Sequence, residues 1–187
     1  MNSLILVTGG TGYIGSHTVV ELMESGFDVV IIDNLSNSSI EVLDRIEKIT
    51  GKRPLFEKLD LCDKISLDQF FARYTSIEAV IHFAASKAVG ESVEKPLLYY
   101  RNNLLSLINL LEGMIASGIR HLVFSSSCTV YGQPDQLPVT ENSPVKPALS
   151  PYGNTKQISE EIIRDTISSN APLRAISLRY FNPIGAH

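Results

Sequence analysis

A glycine-rich turn between the first predicted strand and the first predicted helix constrains this chain most. The apolar run Ser3–Thr8 leads into Thr-Gly-Gly-Thr-Gly-Tyr-Ile-Gly, which places glycines at positions 9, 12 and 15. Glycines at this spacing permit a tight turn, a close backbone approach to a ligand and close packing of helix on strand. The helix N-terminus also directs N–H groups and a positive dipole end at an anion. Gly9, Gly12 and Gly15 therefore predict a pyrophosphate cradle, with a purely structural turn as the alternative.

Asp33 supports the same interpretation. It follows the second apolar strand, Asp28–Ile32, at about the distance from the glycines where a ribose-binding carboxylate is expected. A carboxylate there favours NAD over NADP, because it would repel the 2′-phosphate of NADP. The alternative is a solvated carboxylate at a strand end.

Short β-rich runs alternate with longer helical runs along the whole chain. This alternation predicts parallel strands joined by helical crossovers, an α/β doubly wound parallel sheet with helices on both faces. Together with the glycine turn and Asp33, it predicts a Rossmann-type NAD-binding domain over residues 1–187. The polar stretch Gly132–Pro151 exceeds ordinary loop length, which is typical of functional loops. The predicted strands are Ser3–Thr8, Asp28–Ile32, Pro54–Lys58, Ala79–Phe83, His121–Ser125 and Leu173–Leu178, and the predicted helices are Tyr13–Ser25, Ile40–Thr50, Leu67–Tyr74, Pro96–Ser117 and Tyr152–Ser168.

Composition narrows the classes of partner. A net charge of −4 gives no basic surface for nucleic acid or for an acidic membrane. The most apolar long run, Leu97 to Ala116, is interrupted by polar residues and predicts a packed helix rather than a membrane span.

Cys62 and Cys128 have no disulfide or metal spacing, so we expect a cytoplasmic protein without a metal. His82, in an apolar strand, is predicted to be a core histidine.

Tyr152 and Lys156 are the candidate catalytic pair. They lie four residues apart, on one face if the segment is helical. A neighbouring cation stabilises a phenolate and lowers the tyrosine pKa. Ser127, at the end of the fifth strand, is placed to hold a substrate oxygen. An ordinary surface tyrosine and lysine remain the alternative for the pair alone.

The glycine turn together with Ser127, Tyr152 and Lys156 resembles the extended branch of the short-chain dehydrogenase/reductase superfamily. Longer stretches resemble the UDP-glucose (UDP-galactose) 4-epimerase family within it, across the whole chain. These stretches are Phe124–Gly132, Lys87–Pro96, Ser150–Gly153 and Arg179–His187.

The resemblance implies a redox cycle at C4 of a UDP-hexose, in galactose metabolism. In that family pattern, the Tyr152 phenolate takes the proton of the 4-hydroxyl while C4 gives its hydride to NAD, and the 4-keto sugar takes the hydride back on its other face. Ser127 would bind the 4-oxygen. Lys156 would bind the nicotinamide ribose and lower the tyrosine pKa.

Further site residues are implied by the same resemblance. Besides the glycines and Asp33, the cofactor would contact Tyr13, Ile14, Asn34, Asn37, Ser38, Asp60, Leu61, Phe83, Ala84, Ala85, Lys87, Asn102, Tyr180 and Phe181, together with Tyr152 and Lys156. The substrate would contact Lys87, Ser127, Tyr152 and Asn182.

Family members are longer, so a C-terminal sugar-nucleotide domain is expected to be absent from these 187 residues. We expect a chain that binds NAD, has little activity alone and dimerises through Pro96–Ser117 and Tyr152–Ser168. Another extended enzyme of this superfamily that acts on a nucleotide sugar, a dehydratase or a different epimerase, is the alternative. A dehydratase is disfavoured because Cys128 and Thr129, not carboxylic acids, follow Ser127. A non-catalytic NAD-binding module stays open.

Overall fold

A computed structural model describes residues 3–185, and the last two residues of the Arg179–His187 motif lie outside the described part. Six parallel strands form one sheet in the order β3-β2-β1-β4-β5-β6. The strands are β1 (Leu4–Thr8), β2 (Asp28–Asp33), β3 (Leu55–Lys58), β4 (Ile77–His82), β5 (His121–Ser127) and β6 (Arg174–Tyr180). The helices are α1 (Tyr13–Glu24), α2 (Val42–Thr50), α3 (Lys64–Arg73), α4 (Val89–Glu94), α5 (Pro96–Ala116) and α6 (Pro151–Ser168), with a 3₁₀ turn at Cys128–Tyr131. The predicted fold class is confirmed.

Both faces of the sheet are covered, which explains the continuous apolar runs in its central strands. On one face, Leu6 of β1 joins a core with Phe70 of α3 and Leu110 of α5. On the other, Val7 joins a smaller core with Val19 of α1. Successive residues of a strand thus serve opposite layers.

The predicted boundaries differ from the structure at the carboxyl end of the sheet. No helix is predicted between the fourth strand and Pro96, whereas the structure has α4 there, beginning at Val89. Strand β5 continues to Ser127 and β6 to Tyr180, beyond the predicted ends. These two strands pair along their full length, with Ser127 opposite Tyr180. The pairing extends both strands through polar residues that an apolar pattern does not mark as strand.

None of the helices within residues 3–185 combines the length and apolar character that a membrane span needs. Over the same residues, no three His, Cys, Asp or Glu side chains come together as possible metal ligands.

The glycine turn is held by contacts that leave no room for a side chain at Gly15. A Cβ there would lie 2.2 Å from the carbonyl oxygen of Gly9. Gly9 itself has φ +69, in the left-handed region that favours glycine. This close approach seats the first turn of α1 against the end of β1.

We therefore expect Gly15→Ala to lower the free energy of unfolding by roughly 1–3 kcal/mol, because backbone atoms must shift to admit the methyl group. Gly90→Ala, in α4, is the matched control, since nothing lies within 4 Å of a Cβ there. Urea unfolding measures both variants. Equal stability of Gly15→Ala and Gly90→Ala would contradict the packing described.

His82 ends β4 and is 2% exposed, as the sequence predicted for a core histidine. Its Nδ1 hydrogen-bonds the Thr8 hydroxyl at 2.7 Å, and its ring stacks on Phe124. Burial, with a smaller contribution from the charge of Lys156, lowers the pKa of His82 to about 3 from an ordinary value of 6.5. His82 is therefore neutral at physiological pH.

This pKa makes the stability depend on pH with a defined sign. In the unfolded chain His82 takes up a proton below about pH 6.5, whereas in the folded chain it takes one up only at about pH 3. Between these two values the unfolded state binds more protons, so the free energy of unfolding falls as the pH falls. The slope approaches about 1.4 kcal/mol per pH unit. His82→Asn should remove this component in urea unfolding at about pH 7 and about pH 4. The exposed His121→Asn should retain it, and an identical pH dependence in wild type and His82→Asn would refute the assignment.

Candidate active site

The site lies at the point where the strand order of the sheet reverses, between β1 and β4. From β1 the chain adds β2 and β3 on one side, and it then returns to add β4, β5 and β6 on the other. The helices that follow β1 and β4 therefore lie on opposite faces of the sheet and leave a crevice at the carboxyl edge, the usual ligand position in such sheets. The two loops approach closely, since a Cβ at Gly9 would lie 2.7 Å from the Ala84 nitrogen.

The first turn of α1 presents its N–H groups without a side-chain cap. Gly12 is the N-cap residue, so no N-cap side chain accepts a hydrogen bond from the first N–H groups of the helix. There is no acidic side chain in that turn. A Cβ at Gly12 would lie 3.2 Å from the Gly9 carbonyl oxygen, so glycine keeps the turn open. These features fit a pyrophosphate, which needs exposed amides and close backbone approach.

Asp33 lies beside this turn at the end of β2. Its carboxylate accepts hydrogen bonds from the Leu35 N–H at 2.9 Å, the Ser38 hydroxyl at 3.2 Å and the Thr11 N–H at 3.3 Å. A carboxylate has about four acceptor positions, so one remains for an incoming hydroxyl. Asp33 thus fixes the two neighbouring loops and is also placed to bind a ribose diol.

The other residues predicted around the adenosine differ in their surroundings. Asn34 donates to Asp60 at 3.2 Å, so these two side chains meet beyond β2 and β3. Asn37 is exposed on the same loop as Ser38. The Leu61 side chain is 4% exposed and packs in the larger core, and its carbonyl accepts from Asn109. The Leu61 side chain therefore serves the core.

The loop after β4 is held by a buried amide network that the sequence analysis missed. Asn103 accepts from the Ser86 N–H at 2.8 Å and donates to the Ser86 carbonyl at 3.0 Å and to Thr155 at 3.1 Å. Asn102 donates to the Ser86 hydroxyl and to Asn103, both at 3.1 Å. Lys87 is exposed on the loop that this network fixes. The adjacent Asn-Asn pair at the first turns of a long helix was the available signal.

Ser127, Tyr152 and Lys156 come together at the end of β5. Ser127 is 7% exposed, its hydroxyl accepts from the Thr129 N–H at 3.2 Å, and it lies near enough to Tyr152 to lower the pKa of that phenol. The helix α6 begins with the Ser150 hydroxyl accepting from the Gly153 N–H at 3.1 Å. Lys156 donates to the Ser125 carbonyl at 2.7 Å, and its ammonium lies 5.9 Å from the Tyr152 ring centroid. The candidate trio is therefore one cluster.

The pKa of Tyr152 differs from the sequence expectation. Burial raises it and outweighs the lowering by the hydrogen bond with Ser127, while Cys128 adds a further rise. Burial lowers the pKa of Lys156 itself to about 8, with a partial offset from Glu160. In this structure Tyr152 is a neutral phenol at pH 7.

The C-terminal segment runs along the carboxyl edge beside the crevice. The Tyr180 ring, at the end of β6, lies 6.3 Å from the Phe83 ring. The following residues Phe181 and Asn182 are exposed. The Tyr13 hydroxyl then donates to the Gly185 carbonyl at 2.5 Å, so the segment crosses the carboxyl edge back to the glycine turn.

An ion pair beneath the trio was also missed. Glu160 accepts from Arg179 Nε at 3.0 Å and Nη2 at 2.8 Å, and from the Ser126 hydroxyl at 2.5 Å. Glu160 follows Lys156 by four residues, so helical spacing was a usable signal. Gln157 donates to the carbonyls of Val130 and Lys146, which attaches the long loop to α6.

Solved structures share this arrangement closely. A UDP-glucose 4-epimerase from Bifidobacterium longum in complex with NAD+ and UDP superposes with a TM-score of 0.96 at 46% identity, over 98% of this chain and 55% of the other. A UDP-glucose 4-epimerase from Stenotrophomonas maltophila, with bound NAD and formylated UDP-arabinopyranose, gives 0.94 at 46% identity, over 100% and 55% of the two chains.

Curated sequences similar to this chain bear the same enzyme name as these solved structures. UDP-glucose 4-epimerase 2 of Arabidopsis thaliana is 53% identical over 100% of this chain and 54% of its own length. The Bacillus subtilis UDP-glucose 4-epimerase is 54% identical over 98% of this chain and 53% of its own. The chain thus spans about half the length of these relatives. The profile of the NAD dependent epimerase/dehydratase family matches residues 5–187, and the chain belongs to that family.

Proposed function

We propose that this chain is the NAD-binding part of an enzyme that interconverts UDP-glucose and UDP-galactose at C4. The observation that carries the proposal is the cluster of Ser127, Tyr152 and Lys156 at the same carboxyl edge as the glycine turn. Relatives about 50% identical bear the name UDP-glucose 4-epimerase.

The chain's residues fit NAD from end to end. The open first turn of α1 would hold the pyrophosphate, Asp33 the adenosine ribose, and Lys156 the nicotinamide ribose. When bound, NAD supplies a reversible hydride acceptor for the sugar carbon. Tyr180 and Phe83 would line the nicotinamide end of the cofactor site. Lys87, Ser127, Tyr152 and Asn182 would contact the sugar nucleotide.

Tyr152 is the proposed base and Ser127 its partner. A phenol that is neutral at pH 7 must lose its proton to act as a base, and the nearby Lys156 ammonium is the chain's cation that stabilises the resulting phenolate. Ser127 would hold the sugar oxygen within reach of the Tyr152 hydroxyl.

A dehydratase is the second candidate, because the family includes both activities. Removal of water needs an acid and a base beyond the serine, whereas Cys128 and Thr129 follow Ser127 here. This composition favours the epimerase.

We also propose a cytoplasmic homodimer. The helix α5 exposes apolar side chains, including Leu97 at 81% and Ile108 at 38%, which a second copy would cover. Light scattering that gives a monomer would count against the dimer.

NAD binding by the 187-residue chain tests the cofactor assignment. We expect NADH fluorescence titration to give saturable binding, and Lys156→Met to weaken it about tenfold or more, because a charged hydrogen-bond donor is lost. Lys146→Met, in the loop beyond the site, is the control and should bind like wild type. Absence of binding, or equal affinity of both variants, would contradict the assignment.

Epimerisation tests the base. In a full-length protein that carries this chain, Tyr152→Phe should reduce turnover of UDP-galactose by about 100-fold or more while NADH binding persists. Tyr100→Phe is the matched control, since it also removes one phenolic hydroxyl, which here accepts from Asn154 at 2.7 Å. Activity that survives Tyr152→Phe would remove Tyr152 as the base, and NAD binding with no turnover in the wild type would favour the non-catalytic module.

The 187-residue chain alone should turn over UDP-galactose little or not at all, since half the length of its relatives is not present in it. Robust turnover by this chain would show that its residues suffice.

A further inference from the structure

The ion pair of Glu160 and Arg179 ties together the elements that carry the catalytic cluster. Glu160 lies on α6 one turn beyond Lys156, with 17% of its side chain exposed. It binds Arg179 of β6 through two hydrogen bonds and Ser126 of β5 through a third. The Arg179 guanidinium also lies 4.8 Å from the ring centroid of Tyr131 in the 3₁₀ turn.

Lys156 is a buried cation, so its charge state depends on its neighbours. Its side chain is surrounded by the Ser125 carbonyl, the Phe124 ring 4.8 Å away and the Tyr152 ring. Glu160 favours the ammonium, against the larger opposing effect of burial. Arg179, bound to Glu160, offsets that carboxylate.

The other titratable groups on the elements packed against α6 are neutral or already engaged. His82 of β4 is neutral at pH 7. On α5, the Tyr99 hydroxyl donates to Glu91 of α4, and Glu91 is also paired with Lys95. The remaining groups that act on this region include Tyr131 and Cys128 of the 3₁₀ turn, Tyr152 of α6 itself, and Arg164, one turn beyond Glu160 on α6, whose charge also acts on Glu160.

We propose that Glu160 and Arg179 are positioning residues that set the charge of Lys156: Glu160 keeps the ammonium protonated, and Arg179 limits how strongly it does so. For the enzyme this rests on the proposed function, in which Lys156 must carry a charge beside Tyr152. The charge-setting itself is a property of the chain without any ligand.

The two partners must act in opposite directions. Glu160→Gln keeps the shape and the contact with Ser126 but leaves the positive Arg179 near Lys156, which disfavours the ammonium. Arg179→Gln leaves the Glu160 carboxylate uncompensated, which favours the ammonium. Simple loosening of the structure would instead admit water in both variants, and it would move the pKa of Lys156 toward its ordinary value of 10.5 in each.

The experiment is an NMR titration of the ¹³C- and ¹⁵N-lysine-labelled 187-residue chain without cofactor. Lys156→Met identifies the Lys156 signal by its loss. We expect a midpoint near pH 8 in the wild type, a midpoint lower by roughly one pH unit in Glu160→Gln and a higher one in Arg179→Gln. The exposed neighbours supply controls, Glu161→Gln on α6 and Arg174→Gln on β6, which should titrate like wild type.

Shifts in the same direction in both variants, or shifts no larger than those of the controls, would overturn the proposal. If Glu160→Gln fails to fold by circular dichroism, Arg179→Gln is used alone. A midpoint at or below the wild-type value refutes the proposal, and a higher midpoint in a variant whose urea unfolding matches wild type supports it, because a loosened structure would unfold at lower urea. NADH binding measured across pH separates this outcome from the proposed function. A wild-type chain that binds no NADH contradicts the function and leaves the titration result standing.

Discussion

The buried ammonium of Lys156 is the interaction on which the rest of the site depends. An isolated charge in a protein interior is costly, and its pKa of about 8 reflects that cost. Part of this cost is offset by groups around the ammonium, namely the Ser125 carbonyl, the Phe124 and Tyr152 rings and the Glu160 carboxylate. Since these groups belong to β5 and α6, stabilising the cation fixes the helix on the strand. The same contact places Tyr152 next to Ser127.

The sheet topology brings the second half of the site to this cluster. The reversal between β1 and β4 opens a crevice at the carboxyl edge, and β5 ends beside it. Close backbone contacts at the glycines hold the glycine turn against the end of β1. Asn103, on α5, connects the loop after β4 to α6. A ligand that spans the edge would thus meet a rigid set of backbone amides at one end and a charged, hydrogen-bonded cluster at the other.

The sequence predicted what depends on local pattern. Continuous apolar runs identified the buried strands, and the glycine spacing identified the turn that follows β1. It failed where tertiary pairing or burial decides. Helix α4 begins inside a stretch with no helical apolar pattern, and the Glu160–Arg179 pair joins two elements that local pattern does not connect. The rise in the pKa of Tyr152 was also missed, because four-residue spacing does not reveal that the phenol is buried.

A crystal structure of this chain grown with NAD⁺ tests the central claim most directly. The claim is that one continuous edge, from the glycine turn to Lys156, holds the dinucleotide beside Tyr152. It predicts the pyrophosphate at the first turn of α1, a ribose hydroxyl on Asp33, and a nicotinamide ribose oxygen within hydrogen-bond distance of the Lys156 ammonium. A dinucleotide bound away from this edge, or one with its nicotinamide end remote from Lys156 and Tyr152, would contradict it.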